Sequence, residues 1–121
     1  MKKPSVRAMA VAGIAFGAVL APAAPAWAAS VGCTLGNGAY SCSTGYVAAS
    51  SRITISVLGT SGGKTVTCIA YDPNVVERGR VSNSSPTTAR SVPFNVPNNR
   101  HRLVCTRTVT TGGGWGQLYN F

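Results

Sequence analysis

Apolar and polar residues alternate one for one over much of the chain, most clearly from Arg52 to Tyr71. On one arm Ile53, Ile55 and Val57 alternate with Thr54 and Ser56; on the other Val66, Cys68 and Ala70 alternate with Thr65 and Thr67. A period of two is what a half-buried strand requires, since successive side chains leave opposite faces. With Gly59-Thr60-Ser61-Gly62-Gly63 between them, the arms predict a β-hairpin that holds the core.

The same reading extends along the chain. Asn37-Gly38 between Cys33 and Cys42 is a strong two-residue hairpin signal, because a type I′ turn needs positive φ at both central residues. That register sets Cys33 opposite Cys42. Tyr46 and Val47 suggest a short strand, Asp72-Pro73-Asn74 a turn, and Val75 to Val81 an outer strand carrying Glu77, Arg78 and Arg80. Ser82 to Thr88 is a polar loop. Val92, Phe94 and Val96 alternate around Pro93, which has no N–H for a ladder and so marks an edge strand. Arg102 to Thr110 predicts a strand in which Arg107 shares the inward face of Leu103 and Cys105. Either a bulge shifts the register there or the Arg107 head lies at the solvent boundary. After Gly112-Gly113-Gly114, Trp115, Gln117, Tyr119 and Phe121 share one face of a final strand; for Trp115 the expected role is core filler rather than exposed contact. The fold class is therefore all-β, a small antiparallel β-sandwich or barrel of about seven strands.

The N-terminal segment follows a different pattern. Lys2, Lys3 and Arg7 precede an uncharged apolar run, Ala8 to Leu20, and Ala26-Trp27-Ala28 supplies a small-x-small site. This predicts a secretory signal peptide over residues 1–28, removed before Ala29, and an extracellular destination. The apolar run is too short to span a bilayer, which takes about 20 residues. The leader's Ala-rich style resembles actinobacterial export signals. Residues 29–121 then form one small domain with no further membrane-spanning candidate. The full chain carries a formal charge of +9; three basic residues leave with the leader, and the remaining eight stand against Asp72 and Glu77 to give +6. Such a charge favours anionic partners such as acidic wall polymers, lipid head groups or nucleic acid.

All four cysteines, Cys33, Cys42, Cys68 and Cys105, lie in the exported part. An even count in an oxidising compartment predicts two disulfides, and the Asn37-Gly38 register selects Cys33–Cys42 and hence Cys68–Cys105. No C-x-x-C spacing occurs and the chain has one histidine, so neither a metal nor a cofactor is expected.

Candidate chemistry is sparse. Gly59 to Gly63 fits G-x-S-x-G and resembles the nucleophile segment of chymotrypsin-like proteases, but a strand follows where a hydrolase elbow needs a helix. The sole aspartate, Asp72, also follows Ser61, whereas the protease triad needs it before. The segment therefore reads as a turn. Glu77 as base, His101 as acid and nearby arginines as a phosphate clamp resemble, in residue types, the small secreted microbial ribonucleases. Size, two disulfides and all-β character resemble small actinobacterial α-amylase and protease inhibitors, although the Trp-Arg-Tyr triplet of the amylase inhibitors is missing. Ser82 to Arg90 or Gly59 to Lys64 would then be the inhibitory loop. The expectation placed first is a non-enzymatic cationic binding protein whose anion-binding residues are Arg78, Arg80, Arg100 and Arg102, acting on an anionic polymer, a cell surface or another macromolecule.

Cross-linking loops of these lengths stabilises a fold by about 2.5 to 3 kcal/mol for the short bridge and about 4 kcal/mol for the long one. A small domain has roughly 5 kcal/mol or more in total. Reduction with excess dithiothreitol should therefore unfold the protein at room temperature, seen as loss of its β-sheet circular dichroism.

Overall fold

The computed structural model describes residues 29–121; the leader over residues 1–28 and its cleavage lie outside the described residues. Nine strands form in chain order: β1 (Ser30–Thr34), β2 (Ser41–Ser43), β3 (Val47–Ala49), β4 (Arg52–Leu58), β5 (Val66–Tyr71), β6 (Glu77–Asn83), β7 (Arg90–Asn95), β8 (Asn99–Arg107) and β9 (Trp115–Tyr119). One sheet has the order β1-β9-β4-β7, the other β2-β8-β5-β6 with β3 also on β8, and all pairs are antiparallel. The all-β expectation holds, with two disulfides, and the sandwich is the form adopted. No helix among the described residues is long and apolar enough to cross a membrane.

The central hairpin does not form. Arg52 to Tyr71 supplies β4 to one sheet and β5 to the other, and the Gly59–Thr65 connection carries the chain between layers. Alternation identified the inward faces correctly: Ile53, Ile55, Val57, Val66, Cys68 and Ala70 are all fully buried. Periodicity says which side of a strand is apolar, not whether its partner lies beside it or across the core. Here the partner is across. In place of each other, β4 pairs with β7 and β9, and β5 with β6 and β8.

The Asn37-Gly38 hairpin is likewise replaced. Only Gly38 takes positive φ (88°), and Ala39 N–H bonds Gly36 O at 3.1 Å, the pattern of a type II turn. Leu35 is drawn into the core and its amide bonds Gly114 O at 2.9 Å, so β1 and β2 part into different sheets. Cys33–Cys42 forms nonetheless, Cα atoms 5.9 Å apart, as the bridge between the two layers. Cys68–Cys105 joins neighbouring strands of one sheet, Cα atoms 4.0 Å apart.

Smaller corrections follow from local geometry. Val75 and Val76 belong to the Asp72 turn, with Val75 at φ 62°, so β6 starts two residues later than the sequence suggests. β2 and β3 are one edge interrupted at Thr44, whose N–H and hydroxyl bond Leu103 O and N–H, each at 2.9 Å, and so continue the ladder on β8. β7, with Pro93, is an edge strand as expected. Trp115, Gln117 and Tyr119 do share a face, but it is the outer one: Trp115 is half-buried and not part of the core.

Arg107 satisfies neither expectation. β8 keeps its register from Arg102 to Arg107 without a bulge, and Arg107 points inward at 5% exposure. Its guanidinium donates to Ala39 O (Nε, 3.0 Å), Gly36 O (Nη2, 2.7 Å), Thr111 O (Nη1, 3.3 Å) and Gly113 O (Nη1). A buried cation is tolerated when its N–H groups are met, and four carbonyl dipoles meet them here. The side chain thereby holds the 36–39 and 111–113 loops over one end of the sandwich.

Gly116 of β9 is buried opposite both sulfurs of Cys68–Cys105, and a Cβ there would overlap both and lie 3.0 Å from Leu103 Cδ2. Gly116→Ala should destabilise the oxidised protein by about 3 kcal/mol or more, as overpacking against a rigid bridge does. Gly36→Ala, with nothing within 4 Å of its Cβ, is the control and should shift urea unfolding by under about 0.5 kcal/mol.

Candidate functional site

The four arginines singled out by sequence lie on β6 and β8, the two strands that flank β5. Inward Ala70 and Cys68 put Tyr71 and Ile69 on the outer face of that sheet, and the register sets Arg102 beside Tyr71 and Arg80 beside Ile69. Arg102 and Arg80 thus share one face, two strand spacings apart across the sheet and two residues apart along it, about 12 Å between backbones. Arg100 alternates to the same side and lies over the Tyr46 ring, 4.9 Å from its centroid. That contact orients the guanidinium without neutralising it.

Arg78 and Arg80 are differently placed. Arg78 sits at the bulge between the Ala70–Gly79 and Tyr71–Glu77 pairs and donates through Nε and Nη2 to Asp72 Oδ2 at 3.1 and 2.9 Å. Asp72 is 2% exposed, and its other oxygen accepts the Asn74 and Val76 amides at 2.9 and 3.0 Å. The Val76 amide first, then Arg78 and the Asn74 amide, hold this carboxyl below its usual range against the opposing effect of burial. Arg80 makes a two-point pair with exposed Glu77, Nε–Oε2 3.2 Å and Nη2–Oε1 2.9 Å, which lowers the Glu77 pKa. Both carboxylates of the domain are therefore committed internally.

Arg100 and Arg102 carry no such partner among the described residues, and Arg52 lies at the same end of the sandwich but on the outer face of the other sheet. It opens β4 opposite Asn95, at the end of the sandwich where β8 begins. The sequence did not single out Arg52, because an arginine at the head of a strand has no pattern of its own; only the topology places it at the same end as residues 99–102. Lys64 and Arg90 lie at the opposite end.

The catalytic candidates are not assembled. Ser61 is exposed in the inter-sheet loop, its amide bonded to Gly112 O at 2.6 Å. His101 lies near the start of β8, at the other end of the sandwich. It faces inward at 0% exposure, while Glu77 is exposed and paired to Arg80, so the two do not meet at one phosphate.

No family model matches the chain, and no curated protein matches it. Among solved structures it is similar to the pre-peptidase C-terminal domain of collagenase from Bacillus anthracis, with a TM-score of 0.51 and 16% identity over 75% of this chain and 88% of that one. Likeness at that identity shows the fold alone, a β-rich domain, and leaves the surface chemistry to be read from this chain.

His101 offers a direct test of the packing at this end. Neither ring nitrogen has a partner in hydrogen-bonding geometry. Burial, reinforced by Arg78, lowers its pKa below 6.5, against weaker opposing effects of Asp72 and the Asn99 backbone. The unfolded chain therefore binds the proton more readily, so the stability His101 allows is complete above about pH 6.5 and declines as pH falls below that value. Asp72 adds a second loss in the same direction near and below pH 3.8. The urea midpoint should fall between about pH 7 and about pH 5, and His101→Gln should flatten that segment. A flat wild-type profile would contradict the buried placement of the chain's one histidine.

Proposed function

We propose that this chain is an exported, non-enzymatic binding module that attaches through its basic end to an anionic polymer or surface. One observation carries the reading: Asp72 and Glu77, the only acidic side chains, are consumed by Arg78 and Arg80, so Arg100 and Arg102 on one sheet, and Arg52 at the same end of the other, have no acidic side chain left to answer them. The remaining field is uncompensated and long-ranged at low salt. The N-terminal leader pattern and the disulfides fit an oxidising, extracellular destination, and the fold shared with a domain of a bacterial collagenase fits an exported bacterial protein. The separation of Ser61, His101 and Glu77 supports a binding role over catalysis. Arg78 acts in this reading as a structural residue rather than a ligand contact.

A second reading, an inhibitor of a secreted hydrolase, is favoured by the stiffness of the loops at the opposite end. Asn83 Nδ2 bonds Val57 O and Thr88 O, both at 2.8 Å, Gly59 N–H bonds Ser85 O at 2.8 Å, and Lys64 N–H bonds Thr60 Oγ1 at 2.9 Å. Rigid loops lose little entropy on docking.

Salt dependence separates these. With about three phosphate contacts, affinity for duplex DNA used as a model polyanion should drop on the order of 40-fold between about 50 and 200 mM salt. Arg100→Gln with Arg102→Gln should weaken low-salt binding by about tenfold or more, since each lost contact removes a released counterion. Binding that ignores both salt and these substitutions sinks the proposal; micromolar inhibition of a secreted amylase or protease, lost on changing Lys64, would favour the second reading.

A further inference from the structure

The outer face of the β1-β9-β4-β7 sheet has a chemistry of its own. The registers set three cross-strand rows on it: Thr34, Trp115 and Leu58; Gly32, Gln117, Ser56 and Ser91; Ser30, Tyr119, Thr54 and Pro93. Arg52, at one end, is the only charged residue in outward register. On a domain of net charge +6 this absence of charge selects against ionic ligands and for uncharged ones.

Aromatic and hydrogen-bonding groups alternate here. Trp115 and Tyr119 are half-buried, and Tyr119 stacks on exposed Phe121, centroids 5.4 Å apart and planes 22° apart. Gln117 stands between Trp115 and Tyr119 on the same strand. Gly32, directly opposite Gln117, has no side chain to cover it, and a shallow cleft of about 190 Å³ opens there, lined by Gly32, Thr34, Trp115 and Gln117 together with Cys33 and Gly116. Alongside, Ser91 is exposed, and its hydroxyl bonds that of buried Ser56 at 2.8 Å, so Ser91 is the member of this row open to a ligand.

We propose that this face is a second binding surface, for a neutral polysaccharide. Sugar rings have an apolar C–H face, which packs on aromatic rings, and a hydroxyl rim, which exchanges hydrogen bonds with amides and hydroxyls. The face offers both within one strip. Trp115 and Tyr119 are four residues apart along a strand, about 13 Å, so no single sugar spans them and the two rings engage separate, non-adjacent units of one chain. The open, nearly flat form of the cleft suits an extended polymer. The mixture of hydroxyl and amide groups with the rings is too polar for the apolar centre of a lasting dimer.

This surface is independent of the basic end, and the experiment keeps the two apart. The oxidised domain, residues 29–121, is passed over chitin, cellulose, a β-1,3-glucan and starch at about 1 M sodium chloride, where ionic attraction is screened within roughly 3 Å. Trp115 is the one tryptophan after residue 28, so its fluorescence reports the site directly as oligosaccharides of increasing length are titrated. The expected result is retention on at least one of these glycans, affinity rising with chain length, a change in Trp115 emission, and a loss of tenfold or more on Trp115→Ala. Tyr119→Ala and Gln117→Ala should each weaken retention too, which keeps the outcome readable if the Trp115 variant folds poorly; Arg100→Gln with Arg102→Gln should leave it unchanged. Retention on none of the four, retention insensitive to all three face substitutions, or sedimentation showing this face covered by a second copy would overturn the proposal.

Discussion

The structure depends on the place where its two disulfides meet. Cys42, Cys105 and Cys68 occupy one row across β2, β8 and β5, and Cys33 reaches that row from the other sheet, where it pairs with Gly116. The Sγ atoms of Cys33, Cys42 and Cys105 lie within 4.8 Å of one another. Gly116 is the counterpart that makes room: its bare Cα lets one sheet settle on the sulfurs of the other. The need for this arrangement follows from the core. Its buried residues are Leu, Ile, Val, Ala and Cys, with no aromatic among them in the described residues, and Phe94 packs only at its margin. A domain this small buries limited apolar area, and covalent cross-links offset the chain entropy that such a core leaves uncovered.

The second constraint is electrostatic and concerns which charges are free. Arg107 is satisfied by four backbone carbonyls and closes one end. Arg78 and Asp72 build the turn at the other end, and Arg80 holds Glu77. Removing a partner of buried Arg107 or Asp72 leaves a desolvated group unmet, which costs more than the pair itself contributes, whereas the exposed Arg80–Glu77 pair leaves its members in water. Two of eight basic residues, Arg78 and Arg107, are thus architectural and Arg80 is paired at the surface, so a patch defined from sequence as Arg78, Arg80, Arg100 and Arg102 divides into structural, paired and available members.

Much of the fold was legible in the chain because alternation reports inward faces directly: the inward residues of β4, β5 and β8, the edge character of β7 and the shared face of β9 all follow from it. Pairing did not follow. Asn37-Gly38 and the Gly59–Gly63 segment are genuine turns, yet one lies between layers because Leu35 is pulled inward and the other because seven residues allow a crossing that a two-residue loop forbids. Disulfide connectivity came out right for a reason that was half wrong, since residues opposite in a hairpin and residues facing across a sandwich can both bring Cα atoms within bridging range. Arg107 was legible as an anomaly in the β8 pattern; the carbonyls that resolve it come from loops distant in sequence, which no local pattern contains. The candidate site shows the same division: Arg100 and Arg102 are visible as a cluster, but the Tyr46 ring under Arg100 and the placing of Arg52 at the same end follow only from topology.

A core without aromatics has a consequence at the surface. Trp115, Tyr119, Tyr71 and Tyr46 must all be accommodated outside it, and the sheet registers sort them onto two opposite faces. On one, Tyr46 and Tyr71 sit among arginines; on the other, Trp115 and Tyr119 sit among hydroxyls and an amide. Two packed sheets hold these faces about 10 Å apart at the backbone and pointing away from each other, so occupation of one does not obstruct the other. The charge segregation is not a product of the core, which would be served by any polar residue at the outward positions. It is therefore on these outward positions, and not on the Gly59–Gly63 segment or the single histidine, that the chain's choice of residues speaks to what it binds.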